Sequence, residues 1–443
     1  MTLNRYLVKA TVVGALGGLL FGFDTAVIAG TTEQLSQVFH LTPWTLGLTV
    51  SIGLAGTIVG AMTSGVLGQK IGGREALRVM AFLYLISAVG CAFAWTWDAL
   101  MVARFVGGLG IGGSSVLGPV YIAELAPAKW RGRMVGLFQI NIVVGILLAY
   151  LSNFLIVTQH LGATQWRWEF GVAIVPSAIF LVMLYGIPRS SRWLVTTNQT
   201  DEALEVLRLM GSPNSEEELK EIVDSVHLER GVKAEPLFRR KYALPIFIAI
   251  TMGMFNQLAG INAILYYAND IFRAAGSSQS SGALKAVNVG LMNLLATFLG
   301  MALIDKVGRK TLLLIGSIGT AAALGSISLM FYTHHHLELL VWALMVFIVF
   351  FAISQGAVIW VFISEVFPSR VRSKGQSLGS SSHWIMNAII AQLFPIIVHG
   401  YGYGAPFALF AAMMLVQFLV VLFVYPETKG RTLEEIQAGF GIG

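Results

Sequence analysis

Two ionisable residues stand inside stretches that are otherwise almost wholly apolar. Asp24 lies in "LLFGFDTAVIAG" (19–30), and Arg104 opens "RFVGGLGIGG" (104–113). A charge in a membrane span is costly and usually faces the protein interior or a water cavity, beside an opposite charge. Asp24 and Arg104 are therefore expected to meet across a helix interface. Such a pair has two uses. It is either a purely structural ion pair or a proton site. Burial raises a carboxyl's pKa and a nearby guanidinium lowers it, so a motion that changes their separation switches the acid between holding and releasing a proton.

The elements that must position these residues follow from composition. The 443-residue chain is 56% hydrophobic and 12% charged, with a mean hydropathy of +0.74. Soluble domains carry about 25% charged residues, so a polytopic membrane protein is implied. A bilayer core needs about 20 mostly apolar residues per helical span, and about twelve such runs occur. They lie near 10–30, 46–68, 77–96, 99–122, 134–157 and 169–187, then near 243–272, 283–304, 311–332, 338–363, 376–398 and 404–425. Barrel strands would be shorter and would alternate, so helices are expected. The start, "MTLNRYLVKATVVGALGG", joins basic residues to a long apolar run without a small-residue cleavage site, as a retained first helix would. The lone Cys91 excludes an intramolecular disulfide.

Basic residues crowd one set of connections: Lys70, Arg74 and Arg78; Lys129, Arg131 and Arg133; Lys306, Arg309 and Lys310; Arg370, Arg372 and Lys374. The alternate connections offer only Arg167, Arg273 and Lys285. The positive-inside rule then places both termini in the cytoplasm. The net charge of +6 belongs to a face beside anionic membrane lipid and requires no nucleic-acid partner.

The only long polar stretch is 188–242. Leu204 and Leu207, then Leu219, Ile222 and Val226, have helical spacing, and Ser215 with Glu218 resembles a capping box. Two or three short cytoplasmic amphipathic helices are expected, broken at Gly211–Pro213; a flexible linker is the alternative. On either side the chain repeats itself. "YIAELAPAKWRGR" (121–133) corresponds to "FISEVFPSRVRSKG" (362–375), and "GQKIGGREAL" (68–77) to "IDKVGRKTLL" (304–313). This gives a six-helix bundle over 1–187, a cytoplasmic linker over 188–242, a second bundle over 243–425 and a cytoplasmic tail over 426–443. Parallel six-helix repeats with the substrate near the midplane are a known transporter plan.

These motifs, with "GGLLFGFDTAVIAG", "NQLAGINAILYYA", "DKVGRK", "SEVFPSRVR" and "PETKGRTLEEI" (426–436), make the chain resemble the sugar porter family of the major facilitator superfamily along nearly its whole length. The resemblance implies an all-α membrane protein of twelve transmembrane helices in two pseudo-repeats, multi-pass in the cytoplasmic membrane, functional as a monomer and free of cofactor and metal. It implies proton-coupled import of a monosaccharide, hexose or pentose, by alternating access. The alternatives are a facilitative sugar or polyol uniporter and a transporter-like sugar sensor. In the family's proton-coupled members the acid matching Asp24 carries the proton and the matching Arg tunes it; passive members usually have a neutral residue there.

A sugar is neutral, with hydroxyls around a patch of C–H, so its site needs amides and aromatic faces. Span seven offers Asn256, Gln257 and Asn262, with Gly260 expected to loosen the helix. Other spans offer Gln139, Asn293, Gln355, Trp360, His383, Trp384 and Asn387. Several of these positions match the family's sugar-contacting residues, although a buried amide also serves as interhelical glue. Tyr266 and Tyr267 would form part of an outer gate. Arg74, Glu124, Arg131, Arg309, Glu365 and Arg372 would form inter-helix salt bridges that hold an inner gate.

The chain also departs from the pattern. Asn256-Gln257 replaces the common Gln-Gln, and His383 stands where Asn or Gln is usual. "SQGAVIW" lacks the prolines of many relatives, which predicts a straighter tenth span. "GQKIGGR" is degenerate and "IPRSSRWL" lacks the usual acid, which predicts a weaker amino-half lock. His334, His335 and His336 fall in a predicted external loop, where loose metal binding competes with simple solvation. No Walker A, HExxH or nucleophile–base motif is present, and "GLGIGG" (108–113) has no strand–turn–helix context, so an enzyme is not expected.

Overall fold

The computed structural model describes residues 4–127, 130–231, 235–368, 371–431, 435–436 and 440, with backbone alone at 228–231 and 305. Lys129, Arg370 and residues 432–434 of the closing motif lie outside the described residues. Among the described residues, twelve helical segments are long and apolar enough to cross a membrane. We number them spans 1 to 12: Arg5–Val38, Pro43–Ile71, Gly73–Ala92, Trp97–Leu125, Arg131–Val157, Gly162–Gly186, Arg240–Tyr266, Gln279–Ile304, Arg309–Thr333, Leu337–Glu365, Arg372–Tyr401 and Gly404–Phe423. Each expected run is present. Span 1 is longer than its apolar stretch predicts, because its helix continues to Val38.

The chain forms two compact units. The first holds Met1–Val27, Ile52–Ser152 and Thr164–Lys233; the second holds Ile28–Ser51, Asn153–Ala163 and Ala234–Gly443. Contacts thus divide the chain within spans 1, 2 and 5, whereas the sequence repeat divides it at the linker.

Glycine seams build the first unit. A Cβ on Gly22 would collide with the carbonyl of Ile142, one on Gly18 would lie within 2.5 Å of the Phe138 carbonyl, and one on Gly145 would strike the carbonyl of Leu19. Spans 1 and 5 are therefore in backbone contact. Spans 2 and 4 pack in the same way through Gly56, Gly60, Gly108 and Gly112. Without a hydrophobic drive between helices in lipid, such close approach supplies the packing energy. "GLGIGG" is part of this seam.

The linker folds as Ser191–Thr196, Thr200–Leu209 and Ser215–Gly231. Ala203, Val206, Met210 and Val226 are buried in one core with Leu7 and Leu194. The linker is thus a set of amphipathic helices packed on the first unit. The expected Ser215–Glu218 capping box is replaced by another arrangement. Ser215 Oγ donates to the Ser212 carbonyl, and the Glu218 carboxylate accepts from the Ser212 hydroxyl.

In the second unit, span 7 breaks where its sequence predicts. The helix Ala243–Leu258 ends and Ile261–Tyr266 begins, with Gly260 between them at φ 81°. A side chain at this left-handed position would also collide with the Phe410 ring. Span 10 is interrupted even without proline: a π-helical segment, Ala352–Gly356, separates Leu340–Phe351 from Ala357–Glu365. Ser354 Oγ donates to the Phe350 carbonyl at 2.5 Å, and such back-bonding loosens the helical ladder without any proline.

Gly260→Ala is expected to cost about 1–3 kcal/mol, the price of a left-handed non-glycine residue, with the Phe410 contact adding to it. The thermal midpoint of the solubilised protein measures this; an unchanged midpoint would refute the assignment.

Candidate functional site

Spans 1 and 4 bring Asp24 and Arg104 together as the apolar setting requires. Arg104 Nη2 lies 4.0 Å from Asp24 Oδ2, with 4% of the arginine side chain exposed and 26% of the aspartate. The arginine side chain is almost sealed, whereas the aspartate side chain keeps partial exposure. Gly53 on span 2 leaves room beside Arg104 Nη2, so the glycine seam also makes space for the cation. The Arg104 guanidinium carbon stands 5.6 Å from the Phe170 ring centroid, within cation–π range.

The amides of span 7 form a connected cluster with span 11. Gln257 Nε2 donates to Asn256 Oδ1 at 3.1 Å, and Asn262 Nδ2 donates to Gln257 Oε1 at 3.1 Å. Gln257 Nε2 is also 3.2 Å from His383 Nε2. The Trp360 ring lies 5.2 Å from the His383 ring and Trp384 lies 5.0 Å from it. Asn387 Nδ2 donates to Tyr266 Oη at 3.1 Å, and Tyr267 Oη donates to the Ala391 carbonyl at 2.9 Å. The break at Gly260 makes this cluster possible, because it lets Asn262 turn back onto Gln257. Trp360 keeps 36% of its surface exposed, while Gln257 is 1% exposed. An aromatic face thus stands open beside buried donors and acceptors, which is the chemistry of polyhydroxyl recognition.

Three expected members sit elsewhere. Gln355 is fully buried in the π-helical segment, but its side chain donates to Gln417 Oε1 at 2.8 Å and to Met414 Sδ at 3.0 Å on span 12. Only its backbone carbonyl meets the cluster, accepting from Asn256 Nδ2 at 3.4 Å. Asn293 is buried on span 8, and among the described residues its side chain makes no hydrogen bond to the cluster. Gln139 is half-buried on span 5, in the first unit.

The charges at the span ends form two networks. In the second unit, Arg309 Nη2 pairs with Glu365 Oε1 at 3.0 Å, and Thr428 Oγ1 donates to Glu365 Oε2 at 2.6 Å. Arg372 donates to the Phe367 carbonyl. In the first unit, Glu124 accepts from Ser190 and lies near Arg192, and Arg131 is exposed at the first residue of span 5. Arg74 and Arg78 both pair with Glu75, at 2.6 Å each, and Arg189 joins Glu75 to Glu202 at 3.6 and 3.5 Å.

Sequence reasoning missed Glu75, Arg189 and Glu427. The signal for Glu75 was an acid flanked by Arg74 and Arg78, three charges within two helical turns. Arg189, in the "IPRSSRWL" stretch that lacks the usual acid, reaches acids elsewhere, so the amino-half network carries more charge contacts than its degenerate motif predicts. The Glu427 carboxylate accepts from the backbone N–H of Arg309, Lys310 and Thr311, where a helix N-terminus favours negative charge. His334, His335 and His336 are exposed between spans 9 and 10, with His336 Nδ1 3.3 Å from Glu338.

A family model described as "Sugar (and other) transporter" matches residues 10–440. The chain is 36% identical over 440 residues to the arabinose-proton symporter of Bacillus subtilis, covering 98% of this chain and 94% of that one. It is 34% identical over 473 residues to the D-xylose-proton symporter of Escherichia coli, covering 98% and 96%. Among solved structures it is similar to the inward open conformation of the xylose transporter XylE from E. coli, with a TM-score of 0.88, 33% identity and coverage of 98% and 99%. It is also similar to the proton:xylose symporter XylE bound to 6-bromo-6-deoxy-D-glucose, with a TM-score of 0.79, 33% identity and coverage of 98% and 99%.

Gln257 has hydrogen bonds to Asn256, Asn262 and His383; if this cluster holds a sugar, Gln257→Ala is expected to weaken sugar binding about tenfold, near the worth of one lost neutral hydrogen bond. Titration of the purified protein with D-xylose, L-arabinose and D-glucose measures it; unchanged affinity for whichever sugar binds would remove Gln257 from the site.

Proposed function

The chain belongs to the sugar porter family of the major facilitator superfamily, and from that premise we propose that it imports a hexose or pentose in symport with protons. It is a multi-pass membrane transporter and not an enzyme. The observation that carries proton coupling is the Asp24–Arg104 pair: a titratable acid that keeps partial exposure beside an almost sealed arginine. A neutral cargo has no charge of its own to draw on a membrane gradient, whereas a carboxylate that gains and loses a proton does.

In this reading the cargo's hydroxyls exchange with the bonds that now join Asn256, Gln257, Asn262 and His383, and its C–H face rests on Trp360. Each amide offers both donors and an acceptor, so the cluster can exchange its internal bonds for bonds to a sugar. Asp24 takes a proton from the outer side. Neutralising it removes the charge that holds Arg104, and movement of span 1 against span 4 follows. The basic loops face the cytoplasm with both termini, because Lys and Arg occupy alternate connections. At those ends the pairs of Glu75 and Glu365 act as latches. These pairs keep partial contact with water, and ion pairs in contact with water are individually weak, which suits contacts that break in every cycle.

Asp24→Asn is expected to abolish uphill sugar accumulation in proteoliposomes with an imposed pH gradient while leaving counterflow exchange in place. If the variant still concentrates sugar, Asp24 is a structural partner of Arg104 and the proton is carried elsewhere; if the unaltered protein fails to concentrate sugar as well, it is a uniporter.

A further inference from the structure

By its position, Arg273 is a cation in one of the sparsely charged connections. In the structure it is the hub of a charge cluster that neither the amide site nor the Asp24–Arg104 pair uses. Its guanidinium pairs with Glu33, near the end of span 1, and with Asp270 at 2.5 Å, one turn earlier on the short helix Ala268–Ala274. The Asp270 carboxylate also accepts from the hydroxyl of Thr32. Two successive residues of span 1 thus grip two residues of the segment after span 7. The side chains are 34% exposed for Glu33, 38% for Arg273 and 12% for Asp270.

Polar contacts nearby act in the same sense. Gln392 on span 11 accepts from Ser51 Oγ at 2.9 Å and donates to the Trp44 carbonyl at 3.0 Å, both at the start of span 2. Gly47 lies so close that a Cβ there would strike the Gln392 carbonyl. The consequence lies in what each end of the cluster is attached to. Ala268–Ala274 follows Ile261–Tyr266 with only Tyr267 between them, and that segment carries Asn262 and Tyr266 of the amide cluster. Glu33 and Thr32 lie on the same unbroken helix as Asp24.

We propose that Thr32, Glu33, Asp270 and Arg273 are positioning residues that form a latch between span 1 and the segment bearing Asn262 and Tyr266, so that a change at Asp24 is relayed to the outer entrance of the sugar site. The latch is closed in this structure. Closed, it holds Asn262 and Tyr266 in place through the short helix; released, it frees that helix to swing. The Glu33–Arg273 pair is partly solvated on both sides, so this contact breaks at low cost, as a step in a cycle must. This reading rests on the transport function and membrane orientation proposed above.

The test uses a Cys91→Ser background with Ser51→Cys as reporter, labelled by a membrane-impermeant maleimide in right-side-out and in inside-out vesicles. Glu33→Gln and Arg273→Gln are each expected to raise labelling from the outer side about fivefold, equivalent to loss of about 1 kcal/mol. The double variant should exceed neither single, because one interaction is lost in all three. Arg273→Lys should restore slow labelling. Asp24→Asn should change the labelling rate when the latch is intact and leave it unchanged in Arg273→Gln. Equal rates in all variants, or single effects that multiply in the double, would overturn the latch. Persistence of the Asp24→Asn effect in Arg273→Gln would overturn the relay. Faster labelling confined to inside-out vesicles would reverse the orientation and leave the latch standing. Absence of sugar uptake by the parent protein would remove the transport reading, while the labelling rates would still report on the latch.

Discussion

Keeping Asp24 and Arg104 together inside apolar helices is the constraint from which the rest of the amino-terminal unit follows. Neither charge is tolerable alone in hydrocarbon, and a loose pair would admit lipid or water around both. The seams at Gly18 and Gly22 on span 1, and at Gly56, Gly60, Gly108 and Gly112 between spans 2 and 4, bring backbone against backbone. That closeness encloses the guanidinium and leaves the carboxylate partly accessible. The asymmetry matters more than the pairing. A fully sealed pair would be inert glue, and a fully exposed one would be screened. An enclosed cation beside a partly exposed acid is the feature on which the proposed proton coupling rests.

The carboxyl unit solves a different problem. It must present hydrogen-bonding groups within a membrane without leaving backbone unsatisfied, and it does so by interrupting helices. Gly260 breaks span 7 so that Asn262 folds back on Gln257, and the π-helical turn at Ala352–Gly356 places the Gln355 carbonyl within reach of Asn256. Irregular backbone at membrane depth is tolerated where protein covers it or where it lines a cavity. The amides of Asn256, Gln257 and Asn262 bond one another, and Gln257 also reaches His383.

At the span ends the two units use one device, an acid shared among several donors. Glu75 takes Arg74, Arg78 and Arg189; Glu365 takes Arg309 and Thr428; Glu427 caps the start of span 9. Partly solvated ion pairs are individually weak, so sharing lets a network hold a helix end while no single contact costs much to break.

The sequence by itself determined the twelve spans, the duplicated motifs, the pairing of Asp24 with Arg104 and the break at Gly260. Each depends on composition, on spacing along one helix, or on a charge that has few partners to choose from. Tertiary structure alone decided which way Gln355 turns, that Glu75 serves three arginines, that the linker packs as core and that Arg273 joins Glu33 to Asp270. A side chain on a helix has a known face only when one neighbour is known, and in a bundle every face has a neighbour. Gln355 could satisfy its amide toward span 7 or span 12 equally well by sequence; the π-helical turn, which no proline announces, rotates it to Gln417. Glu33 and Asp270 are about 240 residues apart in the chain, a distance at which spacing and periodicity carry no information; only the packed helices put them within reach of one guanidinium.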